Sequence, residues 1–576
     1  MAPILCLALF LTLCFAGPAW AVGMAPNEGV VGTTVTISGL LAGSYTIKWD
    51  AVGVKSGTLV ADGSVSFTVP DAAGGEHIVK VDNKGAEVLS ANFSVLPSIS
   101  ISAESGVVGD EVTVSGTGFA VSEKSIVIAY DGTNVKTGIE AGNTGSWKAT
   151  FDLPASAKGS HTVDASGSTT KAGDVPDVTV DIDPTISITP LSGNVGTSVT
   201  VNGTGFGKSE GSIQVIYDST SVKTGLSADT KGSWNAVFSI PNSIKGGHII
   251  DASGSSTGAD DVPDLTFIVS SAVAVKPTSG SVGDTITVSG CGFGGNESGI
   301  TITFDDNIIK SDLVANAEGC WNASITVSAT TVGNHIVDAY GASTMASEVG
   351  DAKLVVLSKI VLEPADGHVG INIAINGTGF GASKKVTLKY DSIALPTEYT
   401  ADDKGNFQAS VIVPSSPGGN HNVTATDADG ASATGVFTME STPPAVPQIV
   451  SPKEGSRVGL FDRIIATFEW VPVSDPSGVS YSLQISTQSD FATDLLSKDN
   501  LAKSEYTLTD EEALSRGKYY WRVKAVDGAS NDSGWTQSTE FKAGLMPLWA
   551  FIIIVIVGVA FIVRLFFFVR NMGKEH

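Results

Sequence analysis

Gly193-Asn-Val-Gly-Thr-Ser-Val-Thr-Val-Asn-Gly-Thr-Gly-Phe206 decides the fold, because the stretch returns at a fixed interval, from Gly106 to Phe119, Gly280 to Phe293 and Gly367 to Phe380. Its anchor glycines, Gly109, Gly196, Gly283 and Gly370, stand 87 residues apart. Solenoid units, of about 20 to 45 residues, need neighbours to bury a face. A period of 87 residues instead means whole small domains strung in tandem.

Outward from that stretch, apolar and polar residues alternate in Thr185-Ile-Ser-Ile-Thr189, Ser198-Val-Thr-Val201, Ser212-Ile-Gln-Val-Ile-Tyr217 and Trp234-Asn-Ala-Val-Phe238. His248-Ile-Ile-Asp-Ala252, Leu265-Thr-Phe-Ile-Val269 and a short strand near Ser221-Val-Lys-Thr-Gly225 bring the count to seven, separated by Gly, Asn, Asp and Ser turns. Seven short strands with no helical period predict an all-β fold of tandem immunoglobulin-like β-sandwiches. The spacing Ile-x-Pro-x-x-Gly-x-x-Gly-x-x-Val-x-Val-x-Gly-x-Gly-Phe, Ile188 to Phe206, resembles the IPT/TIG group of immunoglobulin-like domains. The resemblance covers copies two to five well and copy one in part. It implies a fold and extracellular or scaffolding use, and no reaction.

The copies are expected at 22–96, 97–184, 185–271, 272–357 and 358–440. The first is short and divergent: it has Gly29-Val-Val-Gly32 and Val35-Thr-Ile-Ser-Gly39, then Leu40-Leu41 where the others carry the Gly-x-Gly-Phe turn. Links such as Leu96-Pro97-Ser98 and Asp183-Pro184 are very short, so an extended, semi-rigid rod is expected. A Pro-rich linker at 441–447 ends the repeat, and 448–543 has another signature. There Leu514-x-x-Gly-x-Tyr519 runs into alternating Trp521, Val523 and Ala525, which resembles the tyrosine corner and following strand of a fibronectin type III domain, with Trp470 as its core tryptophan.

Both ends carry apolar segments. Residues 1–21 read as a secretory signal peptide: an apolar core from Ile4 to Phe15, then Gly17-Pro18 and the small-residue site Ala19-Trp-Ala21, with cleavage after Ala21. Leu548 to Val563 is unbroken in its apolarity and continues to Val569 past Arg564, which predicts one C-terminal transmembrane helix over 546–569. Arg564, Arg570 and Lys574 follow the span, whereas Lys542 alone stands close before it, so the positive-inside rule places the 570–576 tail in the cytoplasm and the repeats outside.

A formal net charge of −25 in a chain with few charged residues makes it a poor candidate for holding phosphate backbones, which need clustered Lys and Arg, so no nucleic-acid partner is expected. The mature chain keeps only Cys291 and Cys320, both in copy four, at the ends of strands expected to be antiparallel neighbours. Two cysteines appearing together at touching sites outside the cell predict a disulfide. His161 and Asp164 are no catalytic pair, since residues three apart on a strand face opposite sides. His77, His248, His335 and His421 hold the matching place, which makes it a structural repeat position. Asp174, Asp177, Asp181, Asp183, Asp260, Asp261 and Asp264 near the joints are calcium candidates through their oxygens. No Asp-x-Asp-x-Asp-Gly loop supports them, and solvated turn residues are the favoured reading. Trp147, Trp234 and Trp321 are either sugar-stacking platforms or core residues, the core being favoured for a fixed strand position.

No catalytic motif and no cofactor motif is evident, so no enzymatic activity is expected. The expectation is a single-pass cell-surface or envelope protein used for adhesion, surface-layer attachment or display, with protein or glycan partners. A membrane-anchored scaffold docking an exported enzyme complex is the alternative from another class, and carbohydrate binding is a version of the first.

Overall fold

The computed structural model describes residues 21–493 and 495–572. The signal-peptide expectation falls on residues outside these apart from Ala21, as do the last four residues of the expected tail.

The described residues form two compact units. One runs up to Ser271 and includes Cys291–Asn296 and Asn316–Cys320; the other comprises Ala272–Gly290, Glu297–Ala315 and the chain from Trp321 onward.

The third copy shows how alternation becomes a sandwich. Strands Thr185–Thr189, Ser198–Thr204 and Trp234–Ser239 form one antiparallel sheet, with Ser198–Thr204 in the middle. The facing sheet orders Ser192–Gly193, Leu265–Val269, Gly246–Ser253, Ile213–Tyr217 and Thr220–Leu226. The expected first strand is present in full as Thr185–Thr189, and a further short strand follows it. Thr189 ends its pairing on one sheet, and beyond Pro190, which has no N–H to donate, Ser192–Gly193 joins the other sheet parallel to Ile268–Val269. Every second residue turns inward: Val199, Val201, Phe206, Ile213, Val215, Ile250 and Phe267 are all fully buried in one core.

The repeat glycines are explained by what lies over them. Gly203 pairs with Trp234 across the sheet, and the indole lies flat against the bare backbone, so that a Cβ there would overlap the ring. Trp234 also meets Phe206 edge-on, with ring centroids 5.3 Å apart. Gly205 turns the chain with φ +71°, and its Cα approaches the Asp183 carbonyl closely enough to exclude any side chain. Trp147 and Trp234 are core residues, 6% and 7% exposed, which settles their position in favour of packing. Gly203→Ala is expected to cost about 1–3 kcal/mol through overpacking, because the added methyl would fall 2.1 Å from the Trp234 ring. A denaturant midpoint unchanged for the third sandwich would contradict this account.

The first copy keeps the two-sheet plan but breaks the motif. A register shift between Ile37 and Leu40 brings Leu40 opposite Gly63, so neither the Phe nor the Trp of the other copies is present. The sixth sandwich has the same order of strands as the third despite its different sequence, including a short strand, Ser456–Val458, parallel to the last one, Thr539–Ala543. Its core holds Trp470, Trp521 and Phe541, and the Tyr519 hydroxyl donates to the Ser515 carbonyl at 3.0 Å, closing the tyrosine corner.

Among the described residues one helix, Leu548–Met572, is long and apolar enough to cross a membrane. At about 1.5 Å per residue it reaches roughly 37 Å, more than a hydrocarbon core requires. None of its side chains is buried.

Candidate functional site

The side chains with chemical potential are gathered at repeated positions, and each is bound into the frame. His161 lies on the strand Gly159–Ser166, and its partner is not Asp164 but Asp131, in the turn that follows Tyr130. Nδ1 is 2.6 Å from Asp131 Oδ2, Nε2 is 2.7 Å from the Ala157 carbonyl, and the ring stacks on Tyr130 at 5.2 Å. Asp131 Oδ1 accepts from the Thr162 amide. The same clamp recurs as His77 with Asp50, His248 with Asp218, His335 with Asp305 and His421 with Asp391, stacked on Trp49, Tyr217, Phe304 and Tyr390. In copies two to five the aspartate stands 30 residues before the histidine, always directly after an aromatic residue. Sequence reasoning missed it, although that fixed interval was visible once the copies were aligned. Burial works against charge on His421, but the Asp391 carboxylate and the Pro417 carbonyl, each accepting from one ring nitrogen, raise its pKa above the ordinary value. Asp164 itself accepts from the Ala165 amide. Burial pushes its carboxyl up, and the Asp177 charge adds to that.

A second repeated carboxylate was also missed. Glu210, 4% exposed, accepts from the amides of Gly207, Ser256 and Thr257 and from the Thr257 hydroxyl, at 2.6 to 2.8 Å. It ties the turn after Phe206 to the loop between the last two long strands. Glu123 holds Ala120, Thr169 and Thr170 in the same way, and Glu297 holds Ser343 and Thr344. In copy five Lys384 stands at that place, and Asp427 approaches Gly381 N from the opposite strand instead. Burial raises the carboxyls of Glu123 and Glu210, yet the convergent donors outweigh it and hold both below the ordinary glutamate value.

Cys291, at the end of the strand Thr285–Cys291, and Cys320, just before Trp321–Thr326, are joined by a disulfide with their Cα atoms 4.1 Å apart. The strands are antiparallel neighbours, with Gly290 opposite Trp321.

The seven acidic calcium candidates are all exposed, and the structure does not gather them into a site. Asp261 is instead paired with Lys158 at 2.7 Å across the joint between copies two and three, and Asp174 accepts from the Lys171 amide. Among the described residues the group able to share a cation is Glu440, Asp475 and Asp527, with ligand atoms within 4.8 Å of one another. Local donors already account for these carboxylates. Glu440 accepts from Ser477 Oγ and Thr442 N, Asp475 from Ser477 N, and Asp527 from the Asn531 amide and side chain. Together with Gly418 N to Ala529 O and Ser415 Oγ to Gly528 O, they stitch copy five to the sixth sandwich.

The joints between copies one and two and between copies two and three share one plan: a turn at one end of a sandwich meets the opposite end of the next. Gly74 N donates to Phe119 O at 2.9 Å while Asp71 takes the hydroxyls of Thr144 and Ser146, and Lys158 N donates to Phe206 O at 3.0 Å.

No curated protein matches the chain. Among solved structures it is similar to the eight N-terminal immunoglobulin domains of Down Syndrome Cell Adhesion Molecule, at 13% identity over 90% of this chain and 72% of that one, with a TM-score of 0.17. It is also similar to the Yersinia pseudotuberculosis adhesin InvE, at 13% identity over 29% of this chain and 58% of that one, with a TM-score of 0.17. The fibronectin(III)-like modules of Clostridium thermocellum CbhA match at 17% identity over 32% of this chain and 94% of that one, with a TM-score of 0.16. Residues 466–547 match the family described as the Rha78A-like N-terminal immunoglobulin domain, and residues 184–267 match the IPT/TIG domain. The chain therefore carries an IPT/TIG domain and a second immunoglobulin-like domain within a series of sandwiches that repeat one topology.

Proposed function

We propose that this is a membrane-anchored surface protein that binds rather than catalyses, its serial sandwiches presenting the N-terminal copies to a partner while the C-terminal helix holds the chain in a bilayer. One observation carries the reading: a run of sandwiches ends directly in a 25-residue apolar helix, none of whose side chains is buried. Apart from Phe551, which meets Phe461 at 4.8 Å, the described side chains of this helix are left for lipid to cover. In support of binding over catalysis, the recurring His and Glu side chains are held by fixed partners that serve packing. The basic residues after the span support an orientation with the sandwiches outside and the C-terminus in the cytoplasm.

Adhesion, surface-layer attachment and display are the uses such an array serves. Deleting residues 22–184 from the full chain is expected to abolish attachment of cells to their partner surface and to leave the protein in the membrane fraction. Attachment that survives the deletion would favour a scaffold acting through its membrane-proximal sandwich instead.

A further inference from the structure

We propose that the N-terminal end of the first sandwich is a docking site for an aromatic side chain carried on a turn of a partner protein, an inference that rests on the reading of the chain as a binding protein. The observation is a missing ring. In copies two, three and five a ring covers the first glycine of Gly-x-Gly-Phe: Trp147 over Gly116, Trp234 over Gly203 and Phe407 over Gly377. Each meets its phenylalanine, Phe119, Phe206 or Phe380, edge-on at 5.1 to 5.3 Å. The first copy keeps the glycine, Gly39, and has lost both rings, with Gly63 at the place of the tryptophan and Leu40-Leu41 in the turn.

A pocket of about 700 Å³ opens there, lined among others by Val22, Leu40, Leu41, Gly63 and Val88. Leu41 is 52% exposed. A Cβ built on Gly63, the place of the tryptophan, meets nothing nearer than the Ala61 carbonyl at 3.9 Å, which leaves room for a side chain. Among the described residues no ring fills the frame that elsewhere closes over an indole or a phenyl, although Leu40 itself is fully buried.

Two further observations identify the occupant. The pocket lies at the end of the sandwich that in copies two and three receives a turn from the preceding module, through Phe119 O and Phe206 O, so this surface continues an established mode of docking. A second copy of the chain is a poorer source of a ring, since no described Trp, Phe or Tyr outside the helix Leu548–Met572 is exposed. Cleavage after Ala21, as the sequence predicts, also removes Trp20, which stands two residues before Val22 of the pocket lining. A partner turn bearing Trp or Phe fits both the vacancy and the docking mode, because a rigid ring seated in a desolvated pocket is the usual anchor of an interface.

The test uses the full chain in lipid nanodiscs with Leu and Val methyls labelled, and N-acetyl-L-tryptophanamide as the probe. Saturable shifts confined to Val22, Leu40, Leu41 and Val88 are expected. Gly63→Trp supplies the ring from within and should weaken probe binding at least tenfold while increasing hydrogen-exchange protection of Thr34–Leu40. Leu41→Asp, at an exposed position, should weaken it similarly with protection unchanged. Shifts that are absent, spread over all modules, or unchanged in both variants overturn the proposal. So does a mature chain that retains Trp20 and binds the probe only as Trp20→Ala, which would make that residue the occupant. Attachment abolished by deleting 22–184 but retained by Gly63→Trp would remove this site and leave the surface-binding reading standing.

Discussion

Glu210→Ala is expected to destabilise the third sandwich by about 3–5 kcal/mol, the range found when one partner of a buried, hydrogen-bonded charge is removed. The carboxylate is the acceptor for Gly207 N, Ser256 N, Thr257 N and Thr257 Oγ1, and the substitution strands the two Thr257 donors in a buried site. Glu210→Gln fills the same space but turns an amide NH₂ toward those donors, so it should fall between wild type and alanine. Hydrogen exchange resolved by module is the measurement, and a loss of protection spread evenly over all modules would contradict a local role. The pH dependence has a definite sign. Both Glu123 and Glu210 are held below the ordinary value of 4.5, so the stability they contribute is fully present above that value. It is lost as pH falls through their lower folded values. Acid unfolding should therefore reach copies two and three in that window, and Glu123→Gln with Glu210→Gln should flatten it.

Breaking the Cys291–Cys320 bond is the other large effect. The bond closes a loop across a sequence separation of 29, worth about 3.5 kcal/mol in the chain-entropy account. Copies two and three manage without it, holding Thr117 and Ser146, or Thr204 and Ser233, at the same places. The double variant Cys291→Thr, Cys320→Ser therefore restores residues the frame is known to accept. It should fold and unfold at lower denaturant in copy four alone. Reduction of the native protein should produce the same shift, and identical unfolding curves with and without reductant would show that the bond adds nothing.

Much of this was open to reading before any coordinates. Alternation in Ser198-Val-Thr-Val201 fixes which side chains are buried, since a strand has a period of two, and the 87-residue return of the glycines fixes how often the pattern restarts. The placement of Cys291 and Cys320 followed from the same alignment, because sites at the ends of paired strands share one neighbourhood in every copy. The apolar run from Leu548 is local in sequence and needs no partner to be recognised.

What stayed hidden depended on residues far apart in the chain. His161 was correctly separated from Asp164, yet its true partner, Asp131, comes from another strand and was chosen by register and turn geometry. Glu210 reads as a solvent-facing charge until the loop at Ser256 and Thr257 folds over it. The role of Gly63 shows only once the sheet sets it where other copies hold an indole or a phenyl. Sequence by itself determined the strands, their inward faces, the number of copies and the apolar helix, because each of these is written in local periodicity. Only tertiary structure decided which distant polar groups satisfy one another and where a ring is missing, because hydrogen bonds and cavities are properties of side chains converging from separate strands.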